Sequence, residues 1–393
     1  MAVATFIDRR FALFRKHQQH KGDRLVSITD RRKFLKTSAF GATAAATAAI
    51  AAPALAQSTP EIKWRMPASW PKSLDTLYGG CEFLAQRVSE LSDGKFKIQV
   101  FAAGEIVPGL QILDAVQNNT VECGHTSPYY YFGKDPTFTF GTDLPFGMNV
   151  RMRNAWLYHG GGLDLINEFH KTYNVLFLPA GNTNCQMGGW YRKEITSLND
   201  LKGLKFRVGG FAGIILSRLG VVPQQIAGGD IYPALEKGTI DAAEWVGPHD
   251  DEKLGFVKVA KYYYYPGWWE VGPTVGLFVN QQKWSELPKL YQTILQSASA
   301  ETNQWMSAKY DAQNPVALKR LVAAGAVLKA FPPEVMEASW KAANEVFTEM
   351  SEKNAWFKRV YEHFVAFRGD QYLWNQVTDH TMDTYMNRFR QKV

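Results

Sequence analysis

The alternation of hydrophobic and polar positions is most informative in the middle of the chain. Three apolar residues alternate with two basic ones in Leu204-Lys-Phe-Arg-Val208, the period-2 pattern of a strand with one buried face. The alternation directs Arg207 away from the apolar face, and a Gly-Gly pair follows the strand directly. The pattern therefore predicts a strand that presents a guanidinium next to a tight turn.

The rest of the chain reads as a mixture of strands and helices. Strands are predicted where apolar residues alternate or form short runs, and helices where they recur every three to four residues. Pro288 and Pro315 are expected to bracket one long helix, and nearly all of the chain after Pro333 is expected to be helical. The predicted strands are 61–67, 95–102, 120–126, 204–208, 240–246 and 272–280, and the first predicted helices are 74–91 and 110–118.

One block of ten residues occurs twice. Residues 115–124 and 234–243 each read as a helix end, a tight turn and a short buried strand. Such a repeat suits two α/β lobes that are built on the same plan from β-α-β units.

The first 56 residues read as an export segment. Arg31-Arg32 precedes a weakly apolar run rich in Ala and Thr, which ends in the small-x-small pattern Ala54-Leu-Ala56. These features resemble a twin-arginine signal peptide. The alternative is an N-terminal membrane anchor, but the run is short and threonine-rich for a hydrocarbon layer of about 30 Å. We therefore predict that residues 1–56 are a twin-arginine signal and that the mature protein is periplasmic.

Removal of this segment changes the charge of the chain. Residues 1–56 hold 10 of the 44 Lys and Arg and 3 of the 37 Asp and Glu. The remaining 337 residues then carry 34 basic and 34 acidic side chains, a formal net charge of zero. This balance gives no support to binding of nucleic acid or of an anionic membrane.

Two groups of residues could suggest metal chemistry. Cys81, Cys123 and Cys185 lie far apart and have no metal-ligand spacing, so we interpret them as packing residues. The segment His249-Asp-Asp-Glu252 follows a Gly-Pro turn without a second histidine nearby, and we interpret it as a solvated helix start.

An apolar stripe runs along the predicted C-terminal helices at spacings of four and three, broken only at Asn354. Such a stripe fits a long helix that packs on another surface. That surface is either the protein's own lobes or a second copy in a homodimer. The stripe consists of Met336, Trp340, Ala343, Phe347, Met350, Phe357 and Tyr361.

An acidic residue follows Arg207 on the next predicted strand, 37 positions later, in the pair Glu244-Trp245. A fixed arginine can hold a carboxylate through two parallel hydrogen bonds. A glutamate in the same pocket would repel that carboxylate unless a cation lay between them. The sequence therefore raises the hypothesis of an anion site with a bridging cation.

Three motifs make the chain resemble a known family over nearly all of residues 61–345. These motifs resemble the extracytoplasmic solute-binding subunits of TRAP transporters, which are secondary transporters driven by ion gradients. The first motif and its downstream spacing are the most specific. The motifs are Leu198-x-Asp-Leu-Lys-Gly-Leu-Lys-Phe-Arg207-Val, Ala234–Trp245 and Trp284-x-x-Leu-Pro288.

Further motifs are similar to the branch of this family that binds 2-oxo acids or lactate through a metal ion. They are Cys185-Gln-Met-Gly-Gly-Trp190, Glu244-Trp-Val-Gly-Pro248 and Pro266-Gly-Trp-Trp-Glu270. The resemblance implies a bridging sodium or calcium ion with oxygen ligands. It also implies that Arg207 binds the substrate carboxylate. Gln186, Glu244 and the Trp245 carbonyl are then expected to contact the cation and the substrate. Glu270 is expected to be a further cation ligand or part of the cleft wall, and Tyr130 is expected to line the cleft.

The fold implied by the resemblance is a two-lobed α/β periplasmic-binding-protein fold, type II-like, with crossing hinge strands and a long helix that spans both lobes. We expect lobe I at 57–183 and 272–312, lobe II at 184–271 and 313–345, and a C-terminal helical extension at 346–393 for packing or dimerisation.

The predicted function is capture of a small monocarboxylate, a 2-oxo acid such as pyruvate or else lactate, for the membrane subunits of a TRAP transporter. The alternative is a cofactor-dependent enzyme that is exported folded by the twin-arginine route. The chain has no His-x-x-x-His helix motif, no Cys-x-x-Cys and no Gly-x-Ser-x-Gly, so we predict that it is not an enzyme.

Overall fold

The computed structural model describes residues 60–389, so the predicted signal at 1–56 lies outside the described residues. Within the described part, no helix combines the length and apolar character needed to cross a membrane. The strands are β1 Ile62–Pro67, β2 Phe96–Phe101, β3 Cys123–Thr126, β4 Val175–Asn182, β5 Gly189–Tyr191, β6 Lys205–Arg207, β7 Val222–Gln224, β8 Ala242–Ala243, β9 Tyr262–Tyr265, β10 Thr274–Asn280 and β11 Val327–Ala330. The α-helices are α1 Leu77–Leu91, α2 Ile112–Gln117, α3 Thr139–Thr142, α4 Val150–Tyr158, α5 Gly162–Lys171, α6 Ala212–Arg218, α7 Gly228–Glu236, α8 Pro248–Leu254, α9 Gln281–Glu286, α10 Lys289–Ala323, α11 Pro333–Lys353, α12 Ala355–Val377 and α13 Asp379–Phe389.

The strands form two groups. In the first group the order is β2-β1-β3-β10-β4, where β1 meets β3 through a single bridge between Ala68 and His125. In the second group the order is β11-β9-β5-β8-β6-β7. The chain passes between the groups after β4, before β10 and again along α10, which contacts both β4 and α8. The two-lobed α/β prediction with crossing segments and a spanning helix is confirmed, and the lobe limits stay predictions.

The repeated block folds in the same way twice. Each helix ends in a residue with left-handed backbone, Asn119 at φ 56° and Gly238 at φ 71°. In each copy the next residue, a threonine, donates its N–H to the helix carbonyl five positions back, over 2.8 Å in the first copy and 3.0 Å in the second. The strand that follows in the second copy, β8, covers only two residues, whereas a strand of seven residues was predicted.

The prediction that Pro315 ends a helix is wrong. Helix α10 has 35 residues and contains Pro315, while Pro288 directly precedes its first residue and Trp284 lies on the separate helix α9. An interior proline disfavours a helix by about 3 kcal/mol. Burial of one side of α10 against β4, α1 and α8 offsets this cost.

The C-terminal apolar stripe divides between α11 and α12, because Asn354 caps the second helix and its side chain accepts the N–H of Phe357 at 2.8 Å. Phe347 stacks on Phe211 beside the second strand group, with ring centroids 5.7 Å apart. Phe357 contacts Phe140 of the first group at 5.0 Å. The stripe therefore packs on the protein's own lobes, the first of the two alternatives.

The three cysteines differ in exposure. Cys81 and Cys123 are fully buried, as predicted for packing residues. Cys185 is exposed, so its interpretation as a packing residue is wrong. It lies on the segment that crosses from β4 to β5.

His170 is a fully buried histidine in a ring of phenylalanines. Neither ring nitrogen has a hydrogen-bond partner within the described chain. Burial lowers the pKa of His170 to about 3, so the folded protein holds this side chain neutral. The neighbouring rings are Phe138, Phe169, Phe177 and Phe278.

We expect this histidine to make the protein less stable in mild acid. Below the ordinary histidine pKa the unfolded chain binds a proton that folded His170 does not, so stability falls as the pH falls. From pH 8 to pH 5 the loss from this residue is about 2 kcal/mol. His170→Leu should reduce the measured loss by that amount in chemical unfolding at the two pH values, whereas the exposed control His159→Leu should not. An equal loss in His170→Leu and wild type would contradict the expectation.

Candidate functional site

Arg207 is buried at the end of β6, with 1% of its surface exposed. The strand lies between β7 and β8, so both of its edges are covered. Nε donates to the carbonyl of Ile226 at 3.1 Å, and Nη1 donates to the carbonyl of Glu244 at 2.6 Å. The guanidinium also lies over the Trp245 ring, 5.1 Å from its centroid. The expectation that Arg207 and Glu244 meet in one place is confirmed.

Arg207 and Glu244 are in direct contact with each other. Nη1 of Arg207 donates directly to Oε1 of Glu244 at 2.5 Å, and the N–H of Gly209 donates to the same oxygen at 2.7 Å. The pair neutralises itself without help, as a buried ion pair must. The second carboxylate oxygen, Oε2, is buried and has no hydrogen-bond partner in the described part of the chain.

The expected fork of two parallel hydrogen bonds from Arg207 also changes. Two of its nitrogens, Nε and Nη1, are taken by protein acceptors. The third guanidinium nitrogen, Nη2, has no acceptor among residues 60–389. One nitrogen of the guanidinium is therefore left for a further acceptor.

Gln186 and Glu270 lie side by side on the two segments that link the strand groups. The N–H of Gln186 donates to the carbonyl of Glu270 at 3.0 Å. The Nε2 amide of Gln186 donates to Oγ1 of Thr183 at 2.9 Å, which fixes the orientation of the side-chain amide. Oε1 of Gln186 and Oε1 of Glu270 are buried without a partner among the described residues.

The two glutamates influence each other. Burial, and next the charge of Glu244, raise the pKa of Glu270 well above its ordinary value. Burial also raises the pKa of Glu244, against the opposing effects of Arg207 and of the Gly209 amide. Two buried carboxyls that disfavour each other's charge are a setting in which a cation is stabilising.

A small cavity joins these groups to the first lobe. Its volume is about 20 Å³, roughly enough for a single water molecule. Trp70 and Trp245 meet edge to face across it at 6.3 Å. Arg207 and Glu244 lie behind the walls of the cavity, whose lining includes Trp70, Tyr130, Gln186, Trp245, Glu270 and Val275.

Three residues of this site carry little or no signal in the sequence. Thr183 holds the Gln186 amide, and its position three residues before Gln186 was the only signal. Trp70 carried no signal, because it is remote in sequence from every motif. Gly209 belongs to a Gly-Gly pair before a helix, which is a weak signal of an anion site, and its N–H donates to the Glu244 carboxylate.

A second group of potential metal ligands gathers around Asp75, His249 and Asp250. The interpretation of segment 249–252 as solvated is wrong for His249, Asp250 and Asp251, which are buried. Tyr310 donates to Asp250 at 2.6 Å, and His249 contacts Asp75 at 2.9 Å. The Lys253 ammonium contacts both Asp75 and His249, so a cationic side chain already occupies this group.

The fold and the site are those of a two-lobed binding protein with an internal charged pocket. Residues 68–354 match the model of the DctP family, described as bacterial extracellular solute-binding protein, family 7. The chain therefore belongs to this family. The family and the relatives described below are solute-binding proteins and not enzymes. The alternative of an exported enzyme therefore has no support.

Several relatives are named for their ligands. The chain is 53% identical over 83% of its length to a monocarboxylate 2-oxoacid-binding periplasmic protein of Nostoc sp., 89% of which is covered. A TRAP transporter solute-binding protein of Bordetella bronchiseptica, a mixed-occupancy dimer with copurified calcium and picolinate, is 51% identical with a TM-score of 0.84 over 85% of this chain and 99% of that one. A protein of Pseudoalteromonas atlantica with bound sodium and pyruvate is 36% identical with a TM-score of 0.80 over 82% and 98%.

Proposed function

We propose that this protein binds a small 2-oxo monocarboxylate, such as pyruvate, together with a sodium or calcium ion, and delivers the acid to a TRAP-type transporter. Arg207 binds the carboxylate of the acid. Gln186, Glu244, Glu270 and the carbonyl of Trp245 hold the cation, and Trp245 and Tyr130 enclose the ligand.

One observation carries the proposal. Three buried oxygens, Oε1 of Gln186, Oε2 of Glu244 and Oε1 of Glu270, have no hydrogen-bond donor within the described residues. Buried acceptors are almost always satisfied, so three in one region call for a partner that the protein chain does not supply. All are hard oxygen donors, the type that calcium and sodium prefer over zinc.

The free nitrogen of Arg207 supports the carboxylate part of the proposal. Nη2 is a buried cationic donor without an acceptor among residues 60–389. A ligand carboxylate supplies that acceptor. The cation is coordinated by the three oxygens. The Bordetella and Pseudoalteromonas relatives, which contain a cation together with a carboxylate, support the same combination.

The location and the transport partners follow from the family. An extracellular solute-binding protein acts outside the cytoplasm, which agrees with a periplasmic protein. We propose export by the twin-arginine route for the segment 1–56, and the membrane subunits of a TRAP transporter as partners.

We also propose a homodimer through the C-terminal helices. Beyond the apolar stripe, the end of α12 and the whole of α13 carry large apolar side chains that are between 46% and 58% exposed. A row of this kind is typical of a surface that pairs with another protein. The Bordetella relative is a dimer. The residues are Trp374, Val377, Met382, Tyr385 and Met386.

Thermal unfolding with a panel of acids tests the function. Pyruvate and other short 2-oxo acids, with calcium or sodium present, should raise the melting temperature. The stabilisation is about 2.7 kcal/mol at a hundredfold excess over Kd, which amounts to several degrees. Succinate, which lacks the 2-oxo group, is the control.

Two results would count against the proposal. If no 2-oxo or 2-hydroxy acid stabilises the protein in the presence of either cation, the ligand class is wrong. Chemical conversion of pyruvate by the purified protein, followed by NMR, would instead favour the enzyme alternative.

A further inference from the structure

The turn after β6 lies directly beneath a tyrosine of the other lobe. Tyr129 follows β3 in the first strand group, whereas Gly209 and Gly210 follow β6 in the second. A Cβ atom at Gly209 would lie 2.7 Å from both Cε2 and Cζ of Tyr129, and closer still to its hydroxyl. The ring therefore rests on bare backbone, and the contact joins the two lobes.

The two glycines are needed for different reasons. Gly210 has a φ of +60°, a conformation that favours glycine whatever surrounds it. Gly209 has no left-handed φ, so its backbone would accept alanine. The three atoms nearest to a Cβ atom at Gly209 all belong to Tyr129.

The same turn holds a proposed cation ligand. The N–H of Gly209 donates to Oε1 of Glu244 at 2.7 Å, which fixes the carboxylate so that Oε2 is the free oxygen. The N–H of Gly210 donates to Gln225 at 3.2 Å, and Gln225 donates to the carbonyl of Tyr130 at 2.9 Å. One side of the turn thus positions Glu244, and the other side contacts the tyrosines of the first lobe.

We infer that Gly209 is a positioning residue that couples lobe closure to the cation site. When the lobes close, the Tyr129 ring packs on the turn at Gly209 and Gly210. The turn, held in this way, keeps Glu244 in the orientation in which it binds the cation. This inference rests on the proposed function, since it concerns how that site is assembled. It predicts that the absence of a side chain at Gly209 is a requirement of the closed form and not of the fold.

A methyl group at Gly209 should therefore weaken ligand binding. While the lobes are apart the methyl group meets no ring, so its steric penalty falls on the closed form, and ligand affinity falls by the same factor. Overpacking of this kind corresponds to a loss of about 10- to 100-fold in affinity for pyruvate with calcium. Gly229→Ala is the matched control, because Gly229 lies in the same lobe, has no left-handed φ and has open space around it.

A double-mutant cycle with Tyr129→Leu distinguishes two effects of Gly209→Ala: a clash with the Tyr129 ring and a local folding defect. Leucine lacks the atoms that would clash, so Gly209→Ala should cost less than about threefold in the Tyr129→Leu background. Calorimetry of pyruvate binding in saturating calcium measures all four proteins. Tyr129 also lines the cavity, so the effect of Gly209→Ala is compared within each background. Equal losses in both backgrounds, or no loss in either, would overturn the inference.

Small-angle X-ray scattering of the same four proteins without ligand keeps the two proposals apart. Gly209→Ala should enlarge the radius of gyration of the wild type but not that of Tyr129→Leu. If wild type binds none of the acids, the proposed function fails, and the scattering comparison still decides whether Tyr129 seats on Gly209.

Discussion

Replacing Arg207 by lysine is expected to remove most of the affinity for pyruvate. A single ammonium cannot keep the contacts to Ile226 and Glu244 and also donate to a ligand, as the guanidinium does through Nη2. Loss of a hydrogen bond to a charged group costs about 1.5–3 kcal/mol, or about 10- to 150-fold in Kd. Calorimetric titration with pyruvate at saturating calcium measures the change.

Arg153→Lys is the matched control for this variant. Arg153 is also fully buried and lies near an acid, Asp143, whose charge acts on it. Its guanidinium contacts Phe140, Thr274 and Trp156, none of which is proposed to bind the ligand. It should change stability and leave the Kd for pyruvate within about threefold, a difference of less than 1 kcal/mol. If Arg207→Lys also binds within that range, Arg207 does not hold the ligand.

Glu244→Gln is expected to weaken the dependence of acid binding on the cation. The substitution removes a full charge next to the proposed cation, an effect of about 4 kcal/mol at an effective dielectric of 20. Calcium should then bind at least about 100-fold more weakly. Because Gln186, Glu270 and the Trp245 carbonyl remain, calcium should still raise the affinity for pyruvate, but by much less than in the wild type. Titrations in choline buffer, after chelation, make the comparison.

Glu252→Gln serves as the control, because Glu252 pairs with Arg320 at the surface and lies outside the cavity. In wild type and in this control, chelation should weaken pyruvate binding to the same extent. If metal-free wild type binds pyruvate as tightly as the calcium-loaded protein, the proposal of a cation in the site is wrong.

Calcium binding should also release a proton. The pKa of Glu270 is raised by its burial and by Glu244, so protons compete with the cation for this carboxyl group. Affinity for calcium should fall as the pH is lowered, and titrations in buffers of different ionisation enthalpy report the proton directly.

Much of the fold was predictable because its signals are local. The apolar periodicity placed β1, β2 and α1 to within a few residues, and the repeated block placed two equivalent turns at Asn119 and Gly238. The motifs singled out Gln186, Arg207, Glu244 and Glu270, which the fold brings into one region.

What could not be predicted depends on contacts between distant segments. Asp251 is buried because Trp190 and Tyr263 donate to it at 2.9 and 2.7 Å, and no local pattern announces either donor. Pro315 remains helical because α10 packs along both lobes. The direct pair of Arg207 with Glu244 depends on the side-by-side alignment of β6 and β8, which neither strand's sequence reveals alone.

The repeated unit has used two equivalent positions differently. Glu244 in the second copy corresponds to His125 in the first, whose pKa burial lowers to about 4, so it is neutral at physiological pH and accepts a hydrogen bond from Trp70. Of the charged groups proposed for the site, Arg207 and Glu244 thus belong to the second strand group and Glu270 to the segment that leaves it. The first group contributes the aromatic walls Trp70 and Tyr130. If the acid and the cation bind to the second group before the lobes close, capture takes place in two steps, a bimolecular encounter followed by a unimolecular closure.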